Sequence, residues 1–179
     1  MMRHSNLSHG LSLSTLVLLF LFDVTAAQEP DPFNSHPGLR EIGKLPDGIR
    51  VTHTPNPVRA QPGGRSGFKY TWEYKTTVES ITGPIFIQEF VSFYLTANNW
   101  EFSNFTRKPF TPADFAEWYS CPKALLKPGT PCSDPLNWTG NNQLVSGKML
   151  WLFIGRDNTG KQYKGHAVIE LNDAIGSTD

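Results

Sequence analysis

"FKYTWEYKTTVESITGPIFIQEFVSFYL", residues 68–95, holds the densest run of aromatic and β-branched residues in this 179-residue chain. Phe68, Tyr70, Trp72 and Tyr74 alternate with Lys69, Thr71, Glu73 and Lys75. That two-residue period belongs to a strand with one face on a core and the other in water. "ITGP" (81–84) supplies a turn. In a regular strand over 85–95, Ile85, Ile87, Val91, Phe93 and Leu95 share one side, and Phe86, Phe90 and Tyr94 share the other. Both sides are largely apolar, so this strand is expected at the centre of a sheet, with Glu89 interrupting one apolar face. "TANN" (96–99) turns the chain again and "WEFSNF" (100–105) completes a meander.

A helix is expected next. Thr111 can cap it, Pro112 takes the first helical position, and Asp114 stands three residues after the cap, as in a capping box. Phe115, Trp118 and Tyr119 then form an apolar stripe at i, i+3 and i+4. "CSDPLNWTGNN" (132–142) reads as a loop, rich in turn residues. "KMLWLFIG" (148–155) and "KQYKGHAVIEL" (161–171) flank "DNTG", which suits a hairpin. The expected fold is mainly β: an antiparallel, sandwich-like domain of five or six strands over 67–173, with one inserted short helix and a short tail at 174–179. The alternative is α+β, an antiparallel sheet with a helix packed on one face.

Upstream of this domain the composition changes. Residues 28–66 contain seven prolines and five glycines, which points to an arm or linker, although "GIRVTHT" (48–54) alternates well enough for a short edge strand. At the front, Arg3 and His4 precede an apolar run from Leu11 to Phe22, closed by Asp23 and followed by the small residues of "VTAA". This pattern marks 1–27 as a secretory signal peptide. The run is shorter than the roughly 20 apolar residues of a membrane-spanning helix, so no stable insertion is expected after cleavage. The expected location is secreted or periplasmic.

Export decides how Cys121 and Cys132, the only two cysteines, are read. A metal site or a free nucleophile would need histidines at suitable spacing, whereas an oxidising compartment favours a disulfide. Pro122, Pro128, Gly129 and Pro131 allow the intervening chain to turn back. Closing so short a loop contributes about 3 kcal/mol on a chain-entropy estimate.

Charge and motifs narrow the function. Of 16 basic and 16 acidic residues, only Arg3 and Asp23 fall within 1–27, which leaves 15 of each. A near-neutral chain without a Lys/Arg cluster is not expected to bind nucleic acid. Gly-rich phosphate loops, G-x-S-x-G elbows and H-E-x-x-H helices are absent from the sequence, and no cofactor or metal is expected. Glu73, Glu79, Glu89 and Glu170 fall on strands and raise the alternative of a small secreted enzyme acting on carbohydrate through paired carboxylates. His166 reads as a rim residue, and His53 has no second ligand nearby in sequence.

The expected contact surface is the 132–142 segment. Trp138 offers an aromatic plate, and Asp134, Asn137 and Asn141 offer short hydrogen-bonding groups, a combination used for both glycans and proteins. Asn104 and Asn137 also begin N-x-T sequons. Taken together, these features describe an exported, non-catalytic binding or accessory module with a protein or glycan partner. Protein made in an oxidising compartment is expected to show no free thiol and to gain the mass of two hydrogens on reduction. Quantitative thiol labelling without reductant contradicts this.

Overall fold

The computed structural model describes residues 30–97, 99–104 and 107–176. The 1–27 segment read as a signal peptide and the end of the 174–179 tail lie outside them. Nine strands are found among the described residues: β1 (Ile49–Thr54), β2 (Val58–Pro62), β3 (Tyr70–Ser80), β4 (Ile85–Leu95), β5 (Trp100–Phe102), β6 (Leu125–Leu126), β7 (Cys132–Asn141), β8 (Gly147–Arg156) and β9 (Gln162–Ile175). Three short α-helices accompany them: α1 (Pro32–Ser35), α2 (Arg40–Gly43) and α3 (Pro112–Trp118).

All nine strands belong to one sheet. One edge of β3 carries β7, and the other carries β1 and, at its beginning, β2. Strand β2 then runs parallel to β9. The sheet continues through β8 to β4, whose outer edge is shared by β5 and β6. The protein is therefore mostly β, as the sequence implies, but five or six antiparallel strands in a sandwich are not what forms. The sheet is mixed and has more strands, because "GIRVTHT", "VRAQP" and the 132–142 segment are all recruited into it.

A single apolar cluster draws on most of these strands. Ile49, Val58, Trp72, Phe90, Phe153 and Ile169 come from β1, β2, β3, β4, β8 and β9, and Phe115 of α3 and Tyr119 at its C-terminal cap join them. A flat sheet of this width could not bring those residues together, so the sheet curls around the cluster, and α3 contributes its buried Phe115 from an otherwise largely exposed helix. Gly165 permits one close approach, since a Cβ at that position in β9 would collide with the backbone of Ile49.

The opposite face of β4 and β8 is also covered. Val91, Phe93, Leu150 and Leu152 form a second cluster with Trp100 and Leu39, and Phe33 and Ile42 pack against it. The Trp100 indole donates to the Pro30 carbonyl at 3.0 Å. From Pro30 onward, the stretch read as an arm thus supplies one core's cover and two strands of the sheet. Pro46, Gly48, Pro55, Pro57, Gly63 and Gly64 fall between these pieces, whereas Pro32, Gly43 and Pro62 stand at the ends of α1, α2 and β2.

A bulge divides β4 between the two cores. Its pairing with β8 passes from Ile87 opposite Gly155 to Glu89 opposite Ile154, leaving Gln88 as the extra residue. Ile85, Ile87 and Phe90 consequently share the first core, while Val91 and Phe93 enter the second. The side assignment expected for a regular strand is corrected here: one inserted residue reverses the parity of everything after it. The interruption at Glu89 was the trace of this bulge in the sequence.

Helix α3 starts as expected. The Thr111 hydroxyl accepts from Asp114 N at 3.3 Å, and the Asp114 carboxylate accepts from Thr111 N at 2.7 Å. Cys121 and Cys132 form a disulfide with Cα atoms 5.4 Å apart, tying the exit of α3 to the first residue of β7. The Asp157 carboxylate accepts from Thr159 N and Lys161 N in the turn between β8 and β9.

Phe90 lies at the centre of the first core, with the rings of Phe110, Phe115, Trp118, Tyr119, Trp151 and Phe153 at centroid distances of 5.0, 5.7, 5.6, 5.7, 6.2 and 5.6 Å. Its ring has no exposure. Replacing Phe90 with Ala is expected to cost about 3–5 kcal/mol in urea unfolding, the range for deleting a buried aromatic ring. A loss below about 1 kcal/mol would mean that the curl does not close around this ring.

Candidate functional site

Strand β7 borders a cleft of about 470 Å³ that is also lined from the α3 region, β4 and β8. One wall is β7, with Asp134, Leu136, Asn137 and Trp138. Phe110 and Trp118 stand opposite, near the capping turn and end of α3, and Met149 and Trp151 of β8 line the interior. Ser92 of β4 hydrogen-bonds Ser103, just beyond β5, and both line the cleft. A second cavity of about 410 Å³ adjoins it, sharing Phe68, Ser103, Gly140 and Met149 and extending to Asn141.

The segment expected as a loop is therefore strand β7, which is a correction. Its Asp, Asn, Pro and Gly residues argue against a strand when considered locally, but pairing along β3 overrides them. The register runs from Cys132 opposite Val78 to Asn141 opposite Tyr70, with an irregularity between Thr76 and Tyr74. Pro135 and Leu136 fall at that irregularity. On an edge strand, a proline there disrupts little pairing.

Register also separates the four residues singled out in the sequence. Asp134 and Asn137 lie opposite Thr76 and Tyr74, on the inner side of the sheet. Trp138 lies opposite Glu73, on the other side, and its half-buried ring meets Phe68 edge-on at 6.1 Å. Phe68 in turn rests against Gly140, where a Cβ would collide with the ring. Asn141 is exposed and accepts from Gln143 N at 3.0 Å. Asp134, Asn137 and Trp138 nevertheless all line the main cleft, while Asn141 belongs to its extension.

Asn137 is only 6% exposed. Its amide donates to the Thr76 hydroxyl at 2.8 Å and accepts from Trp138 N at 2.8 Å. The amide nitrogen of this sequon is therefore occupied inside the fold. Asn104, the other sequon residue, donates to the Lys108 carbonyl at 2.8 Å.

Thr76 continues a buried polar chain. Its hydroxyl lies 3.1 Å from His53 Nδ1, and His53 Nε2 lies 3.4 Å from the Ala167 carbonyl. The carbonyl can only accept, so Nε2 carries the proton and Nδ1 accepts from Thr76. Burial is the main cause of a His53 pKa pulled down to about 4, with the Ala167 bond opposing it. The Trp151 indole donates to the Tyr74 hydroxyl at 2.8 Å. Burial also pushes the Tyr74 and Tyr119 phenols up. Among the described residues the buried Tyr119 hydroxyl has no partner at full hydrogen-bond geometry, with the Thr76 hydroxyl its nearby polar group. Asp134 is raised chiefly by burial, against the pull of Leu136 N and the Arg65 charge.

Several functional candidates were not singled out in the sequence. Trp118 was read simply as one residue of a helix stripe, yet it remains 38% exposed at the cleft rim. A seven-residue helix cannot bury three large rings equally, and that was the available signal. Phe110 and Trp151 gave none, because their place depends on strands distant in sequence.

The strand glutamates do not converge on the cleft. Glu73 pairs with Arg65 at 2.7 Å, Glu79 with Arg50 at 3.2 Å and Glu170 with Lys148 at 3.5 Å. Glu89 sits at the β4 bulge. His166 is also remote from the cleft, with its ring edge-on to Phe33 at 5.0 Å. No helix among the described residues is long and apolar enough to cross a membrane. Both cysteines are consumed by the disulfide, which removes the thiolate-ligand and nucleophile readings. No protein-family model matches the chain, and neither a curated protein nor a solved structure gives a significant match.

His53 gives the core beneath the cleft a pH dependence of defined sign. Its folded pKa of about 4 lies below the ordinary value of 6.5, so the unfolded chain binds the proton more tightly. Stability from this group is complete above the unfolded value and is lost as pH falls toward the folded one, by about 3 kcal/mol in total. Unfolding free energies at pH 7 and pH 4 are expected to differ less in His53→Gln than in the wild type. Equal differences in the two proteins contradict the buried neutral histidine.

Proposed function

We propose that the protein is an exported, non-catalytic binding or accessory module, secreted or periplasmic, whose glycan or protein partner engages the cleft beside β7. The observation carrying this reading is the lining itself: rings from the approach to β3, from the α3 region, from β7 and from β8 surround one open cavity. Aromatic side chains provide contact area at low cost in conformational entropy. They are set here on strands, on the helix end next to the disulfide and on a capped helix start. Such support reduces the ordering that binding must impose.

A carbohydrate-cleaving enzyme with paired carboxylates is the weaker reading. Such chemistry needs two carboxyl groups about 5–10 Å apart around the bond. Among the described residues, Asp134 is the only carboxylate lining the cleft. Export is supported by the signal-like pattern of 1–27 and by the disulfide, which suits an oxidising compartment.

The test pairs a binding assay with a melting curve. Immobilised wild-type protein is offered the exported fraction of its source and a panel of glycans, and capture is compared with Trp138→Ala. Trp138 is half-buried with one ring partner among the described residues, so its loss is expected to lower the melting temperature only modestly. Capture is expected to weaken by about 2 kcal/mol, roughly 30-fold, as for an interface aromatic anchor. A large fall in stability with unchanged capture by the folded fraction removes Trp138 from the contact surface.

A further inference from the structure

We propose that the part of the cleft at Asp134 is a subsite for an organic ammonium group, carried by a small amine whose apolar body lies against Phe110 and Trp118. This deepens the reading of the cleft as a binding seat and rests on it. Asp134 is the only charged side chain among the described residues lining the cavity. Its Oδ1 accepts from Leu136 N at 3.0 Å. Arg65, the cation that acts on it, is held by Glu73 at 2.7 Å. A half-buried carboxylate among rings is unfavourable unless a cation or further donors compensate it.

The remaining polar groups favour a donor-bearing cation over a neutral sugar. One N–H of the buried Asn137 amide is committed to Thr76, and its oxygen accepts from Trp138 N. Ser92 and Ser103 bond each other. The strongest acceptor left facing the cavity is the Asp134 carboxylate, so a ligand gains most by bringing positive charge and its own N–H groups. The rings meet the other requirement. Phe110 and Trp118 stand 4.9 Å apart at 63°, and Trp118 has an exposed part at the rim. Ring faces attract ammonium groups, most strongly where water is partly excluded.

The test uses the full secreted chain and titrates it calorimetrically at neutral pH with 2-phenylethylammonium, its neutral analogue 2-phenylethanol, benzyltrimethylammonium and a panel of neutral oligosaccharides. The ammonium is expected to bind at least about tenfold more tightly than the alcohol, consistent with a charge-assisted and cation–π contribution of more than 1 kcal/mol. Asp134→Asn is expected to abolish that preference while leaving the affinity for the alcohol within about twofold. Trp118→Leu, which keeps an apolar side chain but removes the ring face, is expected to weaken benzyltrimethylammonium several-fold, so the proposal remains testable if Asp134→Asn does not fold. Equal affinity for ammonium and alcohol overturns the proposal, as does an unchanged preference in folded Asp134→Asn. Absence of binding by both cations also overturns it. Oligosaccharide binding without any preference for the cations overturns it too, but leaves the proposed role of the cleft in place.

Discussion

Strand β2 joins two halves of the sheet with very few pairings. It aligns two residues with β3, Gln61 and Pro62, and three with β9, Val58, Arg59 and Ala60. So short a strand cannot hold the halves together by hydrogen bonds alone, each of which contributes a net of about 1 kcal/mol. It is held by burial, since Val58 and Ala60 are almost wholly covered. Once β2 is seated, β3 with β7 on one side and β9–β8–β4 on the other must curve toward each other. The common core and the position of α3 follow from that curvature.

The cleft is a consequence of incomplete closure. Among the described strands, β7 pairs only with β3, and β5 only with β4. Side chains rather than a further strand occupy the space between these regions. Phe110, Trp118 and Trp151 line it with rings, and Asp134 and Asn137 provide polar groups. The disulfide at the start of β7 and the Asn137–Thr76–His53 chain along it anchor this wall to the exit of α3 and to β1. Buried polar groups are costly unless satisfied, and here each partner's bond depends on the correct placement of the others.

Local signals in the chain were accurate wherever local physics decides the outcome. The Thr111–Asp114 cap, the turn at 157–160 and the alternation of Trp72 and Tyr74 are all interactions between near neighbours. Spacing and the compartment expected from the N-terminal pattern were enough to pair Cys121 with Cys132. The 132–142 segment was different. Asp134, Pro135 and Gly140 disfavour a strand locally, and only the long pairing with β3 makes one. Glu89 was visible as an anomaly in an apolar face, but whether it marked a functional carboxylate or a bulge depended on the register with β8.

The amino-acid sequence by itself determined a β-rich domain, its helix start, its disulfide and the choice of Asp134, Asn137 and Trp138 as candidates, because periodicity, capping and cysteine spacing act over a few residues. Tertiary structure alone decided that β2 bridges the sheet, that 30–45 covers an apolar face, that Trp138 turns toward Phe68, and that Trp118 and Phe110 stand across from Asp134. These depend on strand register, and a shift of one residue exchanges the two faces of a strand. Register in turn is set by burial summed over distant segments, a quantity that no short window of the chain contains.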